Sequence, residues 1–343
     1  MDSDEEKPSF RPSYGVLEQA SCRQILLSEA FCRHFKGYKN IFCKHWYSNT
    51  SPRAVIFICH GIGDHCLWYE GLAEALVQIG FYVFTHDHVG QGRSEGAHNH
   101  VDSFDEYTSV IFQHCTEVKE KYPALPFFML GNSVGGTIAL LAAIQKPCLV
   151  QGLIICAPVL MPADGPPSFT REVVTRLFLG TFFPHLKLFD IEPWRITRDC
   201  NMKMFLRDTI HFKHAFKNIS AQLFHKPDLH YSSQIRKYAE DSMIHHYVKA
   251  KWCVAWMNAV MRLEDRMKSI GCPLFILHGD ADPISDVKSS HVIYDEVQSL
   301  DKEIKIYPGF YHFLLLEQEE NREQVFDDII DWLKRRIQNN SDI

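Results

Sequence analysis

Residues 126–144 read PFFMLGNSVGGTIALLAAI. Phe127-Phe128-Met129-Leu130 is a short apolar run of the kind that a strand buried on both faces requires. Gly131-Asn132-Ser133-Val134-Gly135 follows at once, and residues 136–144 read as a buried helix. A strand, a tight turn carrying G-x-S-x-G and a helix make the nucleophile-elbow pattern. A serine on so sharp a turn sits in a strained backbone region, at a cost of about 1–3 kcal/mol. A side chain at Gly131 or Gly135 would collide with the neighbouring strand or helix. The turn lifts the Ser133 hydroxyl above the sheet edge, and the helix behind it directs unpaired N–H groups at developing negative charge. By itself G-x-S-x-G also describes a turn without chemistry, so its flanks and later partners decide the reading.

Outward from this unit, strands alternate with helices. Upstream, the pattern predicts strands at 31–35, 40–46, 54–59 and 81–85, helices at 69–78 and 104–122, and a glycine-rich loop at 87–96. Downstream it predicts strands at 149–156, 273–277 and 303–307 and helices at 253–267, 287–300 and 322–338. Such alternation implies an α/β fold, a mostly parallel sheet with helices on both faces. It stops between about residues 158 and 251, where Phe, His and Lys are frequent. The expected organisation is therefore a core of residues 22–158 and 251–343, with residues 159–250 inserted as a mainly helical cap. The acidic start, MDSDEEKPSF, reads as a mobile tail over residues 1–21.

Composition narrows the classes of function. A length of 343 residues suits one large α/β domain with an insertion, and 46% hydrophobic residues is ordinary for a globular chain. A formal net charge of −6 argues against nucleic acid or another polyanion as partner. No apolar run approaches the roughly 18 residues that cross a bilayer, and the N-terminus is unlike a secretory signal. The 11 cysteines show no repeating spacing, and several, such as Cys59 and Cys156, lie in apolar runs. Free thiols in a reducing cytoplasm are the expectation. The 19 histidines fall in no recognised ligand spacing, so no metal is expected.

A serine hydroxyl needs a base within hydrogen-bonding reach and a group to orient that base. Two later loops follow strand-like runs, where catalytic groups collect in open α/β sheets. His278-Gly279-Asp280-Ala281-Asp282-Pro283 offers either aspartate as the orienting acid, or a plain Asp-rich turn. Tyr307-Pro308-Gly309-Phe310-Tyr311-His312-Phe313 offers His312 as the base, or a histidine that merely packs. Together the three fall in the order Ser, Asp, His, each after a strand, which is the α/β-hydrolase order. Attack on a carbonyl also needs oxyanion donors. Val134 N–H follows the nucleophile, and Ile62 N–H lies in His60-Gly61-Ile62-Gly63 after the 54–59 strand.

HGIGDH at 60–65, FTHDHVGQGRSEG at 84–96, GNSVGG at 131–136, NAVMRLEDRM at 258–267, GDADPISD at 279–286 and KIYPGFYH at 305–312 resemble the monoacylglycerol lipase family. The resemblance covers about residues 53–160 and 251–332. It implies an α/β-hydrolase fold with a cap over an acyl-binding tunnel, selects Asp282 over Asp280 and Asp286 as the triad acid, and calls for no cofactor. It implies a serine esterase that cleaves long-chain fatty-acyl esters, first among them monoacylglycerols, through an acyl-enzyme on Ser133. Alternatives are a lysophospholipase, a broader carboxylesterase, or a hydrolase-like binding protein without chemistry. An epoxide hydrolase would want Asp where Ser133 stands. The chain departs from the family around the leaving group: Asn132 replaces a usual His, Asp64 a Glu, Trp68 an Arg, and Leu315 a second His. Tyr238 matches a cap tyrosine. Asn132, Asp64 and Tyr238 keep polar contact, whereas Trp68 and Leu315 remove partners for hydroxyls, so the preference for glycerol should be relaxed.

In the inserted segment, Val173, Val174, Leu177, Phe178 and Phe182 fall near helical spacing, and Phe183, Leu186 and Leu188 continue the apolar run past Pro184. One reading is a lid that lies on a membrane surface, with Lys203, Arg207, Lys213 and Lys217 facing anionic lipid. The other is a cap helix packed on the core. The expected partners are thus a lipid ester and, peripherally, a membrane; oligomeric state is not legible.

Overall fold

The computed structural model describes residues 25–163, 174–190, 238 and 241–338. The tail at 1–21, Val173, and the basic positions Lys203, Arg207, Lys213 and Lys217 lie outside the described residues.

Eight strands form one sheet: β1 (Leu26–Phe35), β2 (Tyr38–Ser48), β3 (Ala54–Cys59), β4 (Phe81–His86), β5 (Phe127–Asn132), β6 (Gly152–Cys156), β9 (Leu274–Gly279) and β10 (Lys302–Tyr307). Their order is β1-β2-β4-β3-β5-β6-β9-β10. The β1–β2 and β2–β4 pairings are antiparallel, and the others are parallel. Every residue of β3, β4, β5, β6 and β9 is buried. That is why these strands read as continuous apolar runs.

Alternate side chains on each central strand feed two separate cores. Val55, Phe57, Met129, Leu153 and Ile276 pack on one face with α2 (Asp105–Lys121), α3 (Val134–Gln145), α4 (Ala250–Arg266) and α5 (Lys288–Glu296). Ile56, Ile58, Leu130, Ile154 and Phe275 pack on the other with α1 (Glu70–Gln78) and α6 (Glu319–Gln338). α3 is buried along its length from Val134 to Ile144, so it shows no polar face. Strand order reverses at β3, whose neighbours are β4 and β5. The crevice above the carboxyl ends of β3 and β5 is therefore the expected place for a ligand.

Some boundaries differ from the sequence expectations. β1 and β2 are longer, because they form an antiparallel edge pair whose exposed positions lack an apolar signature. β6 begins at Gly152 rather than 149, since Leu149 N–H closes a turn onto Lys146 O. α5 ends at Glu296 rather than 300, because Val297 is extended (φ −69°, ψ 133°). Between β6 and α4 the described chain includes a helical turn at Thr175–Leu179 and a short antiparallel pair, β7 (Lys187–Asp190) with β8 (Tyr247–Lys249).

Eight of the fifteen described histidines are buried. His45 Nε2 lies 2.8 Å from His114 Nε2, and His45 Nδ1 lies 2.7 Å from Tyr82 Oη. Burial lowers His45 and His86 to about 3, which keeps both rings neutral. Among the described residues no group of three or more His, Cys, Asp or Glu is placed to hold a metal ion.

Candidate active site

Ser133 sits between β5 and α3 with φ 58° and ψ −126°. An L-residue adopts that backbone only when its surroundings enforce it, at about 1–3 kcal/mol. Ser133 N–H donates to Cys156 O at 2.8 Å, and its carbonyl accepts from Gly136 N–H at 2.9 Å. The glycines permit the turn. A Cβ on Gly131 would lie 2.4 Å from Gly135 O, and one on Gly135 would lie 2.1 Å from Cys59 O.

Three loops at the carboxyl edge of the sheet converge here. Ser133 Oγ lies 2.7 Å from His312 Nε2, and His312 Nδ1 lies 2.6 Å from Asp282 Oδ2. With Nδ1–H donating to the carboxylate, Nε2 is the free acceptor for the serine proton. All three side chains are buried. Asp282 is further tied down at Oδ1, which accepts from Ile284 N–H at 2.7 Å and Ser285 N–H at 3.0 Å. Burial alone would push this carboxyl up. The charge interaction with His312 and hydrogen bonds from His278 and His312 outweigh it and hold Asp282 well below the usual range. The neighbouring aspartates do other work. Asp280 Oδ1 accepts from Gly309 N–H at 2.5 Å, fastening the His312 loop to the end of β9. Asp286 Oδ1 accepts from Lys288 N–H at 2.9 Å at the start of α5.

The 60–65 loop closes the site from β3. A Cβ on Gly61 would lie 3.2 Å from Ser133 Cβ, so that backbone runs against Ser133. His60 braces it: His60 Nε2 accepts from His88 N–H at 2.8 Å, leaving Nδ1–H to donate to Gly61 O at 2.8 Å. Burial holds His60 well below the ordinary imidazole value, so the ring is neutral. Val134 opens α3, where an N–H has no carbonyl one turn back. Ile62 and Val134 both line the cavity above Ser133.

That cavity measures about 150 Å³. Its wall is mainly apolar, from Val159, Phe189, Val248, Trp252, Trp256, Ile284 and Phe313. Trp252 and Trp256 stand one turn apart on α4, a helical spacing that the sequence displays outside any of the quoted motifs. Asp64, Asn132 and Tyr238 add polar groups to the lining, with Ser133 and His312. Asn132 Nδ2 donates to Tyr69 Oη at 3.1 Å, and Tyr69 O–H donates to Asp64 Oδ2 at 2.8 Å. Asn132 Oδ1 has no hydrogen-bond partner among the described residues.

Of the four expected pocket residues, Asp64 and Tyr238 line the cavity, whereas Trp68 and Leu315 do not. Trp68 Nε1–H donates to Asp241 Oδ2 at 3.2 Å, and its ring meets Tyr238 edge-on with centroids 4.8 Å apart. It therefore backs Tyr238 instead of facing the cavity. Leu315 lies in a short helical turn, Leu314–Leu316, that packs into the α1–α6 core. Both side chains thus pack against other residues rather than among those that line the cavity.

Burial pushes the Asp64 carboxyl up to about 6, against the opposing pull of His65 and Tyr69. An acid raised in the fold stabilises the folded state most below its unfolded value, near 4, and that contribution is lost as pH rises through about 6. The change is worth about 3 kcal/mol. In Asp64→Asn this share of the pH dependence disappears. Between pH ~3 and ~7 the wild type should lose about 3 kcal/mol of unfolding free energy more than the variant in paired denaturant titrations. A wild-type-minus-variant difference that stays constant across that range would contradict the assignment.

The fold and the hydrogen-bonded Ser, His and Asp at its carboxyl edge are those of a serine hydrolase of the α/β-hydrolase class. Residues 50–319 match the family model described as serine aminopeptidase, S33. The chain is 31% identical to a monoglyceride lipase of Rattus norvegicus over 298 residues, 87% of this chain and 88% of that one. It is 30% identical to a monoglyceride lipase of Homo sapiens over 297 residues, 86% and 87% of the two chains. The fold is similar to that of a Paleococcus ferrophilus monoacylglycerol lipase, with a TM-score of 0.68 and 24% identity over 86% of this chain and 98% of that one. It is equally similar to that of a soluble variant of the Saccharomyces cerevisiae monoglyceride lipase, with a TM-score of 0.68 and 22% identity over 90% and 95%. The chain belongs to the monoacylglycerol lipase family of α/β-hydrolases.

Proposed function

We propose that the protein hydrolyses monoacylglycerols to fatty acid and glycerol, with Ser133 as nucleophile, His312 as general base and acid, and Asp282 as the group that orients His312. The observation that carries this reading is the unbroken run of hydrogen bonds from Ser133 Oγ through His312 to Asp282, at 2.7 and 2.6 Å, under an apolar cavity. Ser133 Oγ attacks the ester carbonyl while His312 Nε2 takes its proton. The N–H groups of Val134 and Ile62 stabilise the tetrahedral oxyanion, each worth about 3–4 kcal/mol of barrier. The intermediate collapses, the ester C–O bond breaks, and His312 returns the proton to the departing glycerol oxygen. Water, deprotonated by His312, then attacks the acyl-enzyme and frees the fatty acid and Ser133. No step calls for a cofactor.

The acyl chain belongs along the wall of Val159, Phe189, Trp252 and Trp256, where each buried methylene contributes up to about 0.8 kcal/mol. The glycerol hydroxyls belong at Asp64, Asn132 and Tyr238. Asn132 Oδ1 is a buried acceptor without a partner among the described residues, and a hydroxyl there would satisfy it. No Lys or Arg is among the described lining residues, and Asp64 is largely ionised at neutral pH. A phosphate-bearing leaving group is thus disfavoured, which sets the lysophospholipase reading below the monoacylglycerol one. The deciding experiment holds the acyl chain fixed and varies the alcohol among glycerol, ethanol and glycerophosphocholine. The glycerol ester should exceed the ethyl ester in kcat/KM by about tenfold, the worth of one hydrogen bond. Equal rates would remove the glycerol pocket, and a preference above about a hundredfold would contradict the relaxed selectivity.

We further propose that residues 159–250 act as a cap, that its apolar face touches membrane lipid, and that the location is cytoplasmic. Phe178, Phe182, Phe183, Leu186 and Phe189 are each about half exposed or more, which favours the lipid-facing reading over a helix packed on the core. Phe189 also lines the cavity, so the face borders a route for an acyl chain. No described helix is long and apolar enough to cross a membrane. The nine described cysteines are free, as a reducing compartment would leave them. In liposome flotation, combining Phe178→Glu, Phe182→Glu and Phe183→Glu should cut binding at least about tenfold; unchanged flotation would overturn the assigned surface.

A further inference from the structure

At the end of β9 stands a second imidazole that the acyl-transfer steps do not use. His278 is fully buried. Its Nε2 lies 3.1 Å from Asp282 Oδ2, the same oxygen that His312 reaches, and 3.3 Å from Ser285 O. Its Nδ1 lies 2.7 Å from Ser290 Oγ on α5. Two acceptors face Nε2, so Nε2 carries the proton. In the neutral ring Nδ1 is then an acceptor, and the Ser290 hydroxyl donates to it. Donation therefore runs in one direction, from Ser290 through His278 into Asp282. The carboxylate as a whole accepts four hydrogen bonds: two amides at Oδ1, and two imidazoles at Oδ2. That fills its acceptor sites. Only one of the four, from His312, belongs to the group that must move protons.

We propose, on the reading of Ser133, His312 and Asp282 given above, that His278 is a positioning residue for ester hydrolysis: its Nε2–H fixes Asp282 Oδ2 in line with His312 and takes up part of the carboxylate charge. The two amides alone hold Oδ1, and Oδ2 is the oxygen that sets the His312 ring. With His278 removed, Oδ2 loses a lateral constraint, and the ring's aim at Ser133 loosens. The carboxylate also becomes a stronger acceptor for His312 and favours its protonated form, so the activity should need a higher pH. Within hydrogen-bonding reach of His278 among the described residues, the ionisable partner is Asp282, with His312 across it; Ser285 and Ser290 are neutral. Along the sheet its neighbour on β10 is Ile306.

The test is kcat and KM against pH on a long-chain acylglycerol for wild type, His278→Leu, His278→Gln and Ser290→Ala, each with a melting curve and mapping of fluorophosphonate label. A glutamine amide can replace the imidazole N–H toward Asp282, and leucine cannot. Loss of a hydrogen bond to a charged group predicts a fall in kcat of about 10–100-fold for His278→Leu, with KM within about threefold. Its acidic limb should move up by about half to one pH unit. The glutamine variant should recover most of the rate and return the limb toward the wild-type position. Ser290→Ala should move both in the leucine direction, by about threefold in rate. If the leucine variant does not fold, the glutamine and Ser290 variants decide. A Ser290→Ala enzyme with wild-type rate and profile overturns the proposal. So does a natively melting glutamine variant with a displaced limb. Wild-type label mapping away from Ser133 defeats the triad reading instead, whereas label on Ser133 with unmoved profiles defeats only the role of His278.

Discussion

Ser133→Ala should lower monoacylglycerol turnover by about ten-thousandfold to a millionfold while leaving the protein folded. The oxygen removed is the atom 2.7 Å from His312 Nε2, and no other described lining side chain is hydrogen-bonded to that nitrogen. The backbone at φ 58° is as demanding for alanine as for serine, so the strain is unchanged and the melting temperature should move little. The cavity wall is untouched, so a non-hydrolysable ether analogue of the substrate should still bind within about threefold of its wild-type affinity. Residual hydrolysis above about 1% of wild type would mean that another group does the chemistry.

Asp282→Asn should cost about ten-thousandfold in kcat, the loss expected when the orienting carboxylate of such a site becomes an amide. Here the reason is specific. Oδ1 accepts from two backbone N–H groups, so the asparagine oxygen must stay there and its NH₂ must take the place of Oδ2. At that place it meets the N–H groups of both His312 and His278. To avoid a donor–donor clash, His312 must turn its Nδ1 into an acceptor, which puts the proton on Nε2 and deprives Ser133 of its base. The same conflict should destabilise the fold by about 1–3 kcal/mol, the range for a buried polar group left unpaired. Rate and stability should thus fall together, unlike in Ser133→Ala. An Asp282→Asn enzyme within about a hundredfold of wild type would show that His312 keeps its tautomer without the carboxylate.

Much of the fold and of the site is legible in the sequence. Residues 54–59, 127–132 and 274–279 read as buried strands because each is apolar on both faces, and both faces of the sheet are covered. The elbow was legible because its glycines answer to contacts under 2.5 Å, which leave no other residue type. Ser133, an aspartate of the 280–286 turn and His312 fall in order, each after a strand, although β10 before His312 is only half-buried, and the family resemblance selects Asp282 among the aspartates. What escaped depends on side-chain direction. Trp68 and Leu315 match positions near the leaving group in the resemblance, yet one turns to Asp241 and the other into the core. His278 ends an apolar strand and reads as part of it. Its role appears only when the turn after β9 returns Asp282 to it and α5 brings Ser290 alongside. The edge pair β1–β2 was foreshortened because its register, not its polarity pattern, holds it together.

The central claim is that one serine, raised on the turn between β5 and α3, is the nucleophile of this enzyme. A fluorophosphonate probe reports that directly, because it bonds covalently to a serine activated by a neighbouring base and leaves ordinary hydroxyls alone. After reaction of the folded wild-type protein, proteolysis and mass mapping should place a single adduct on Ser133, and none should form in His312→Ala. An adduct on any other residue, or no adduct on folded wild-type protein, would contradict the account.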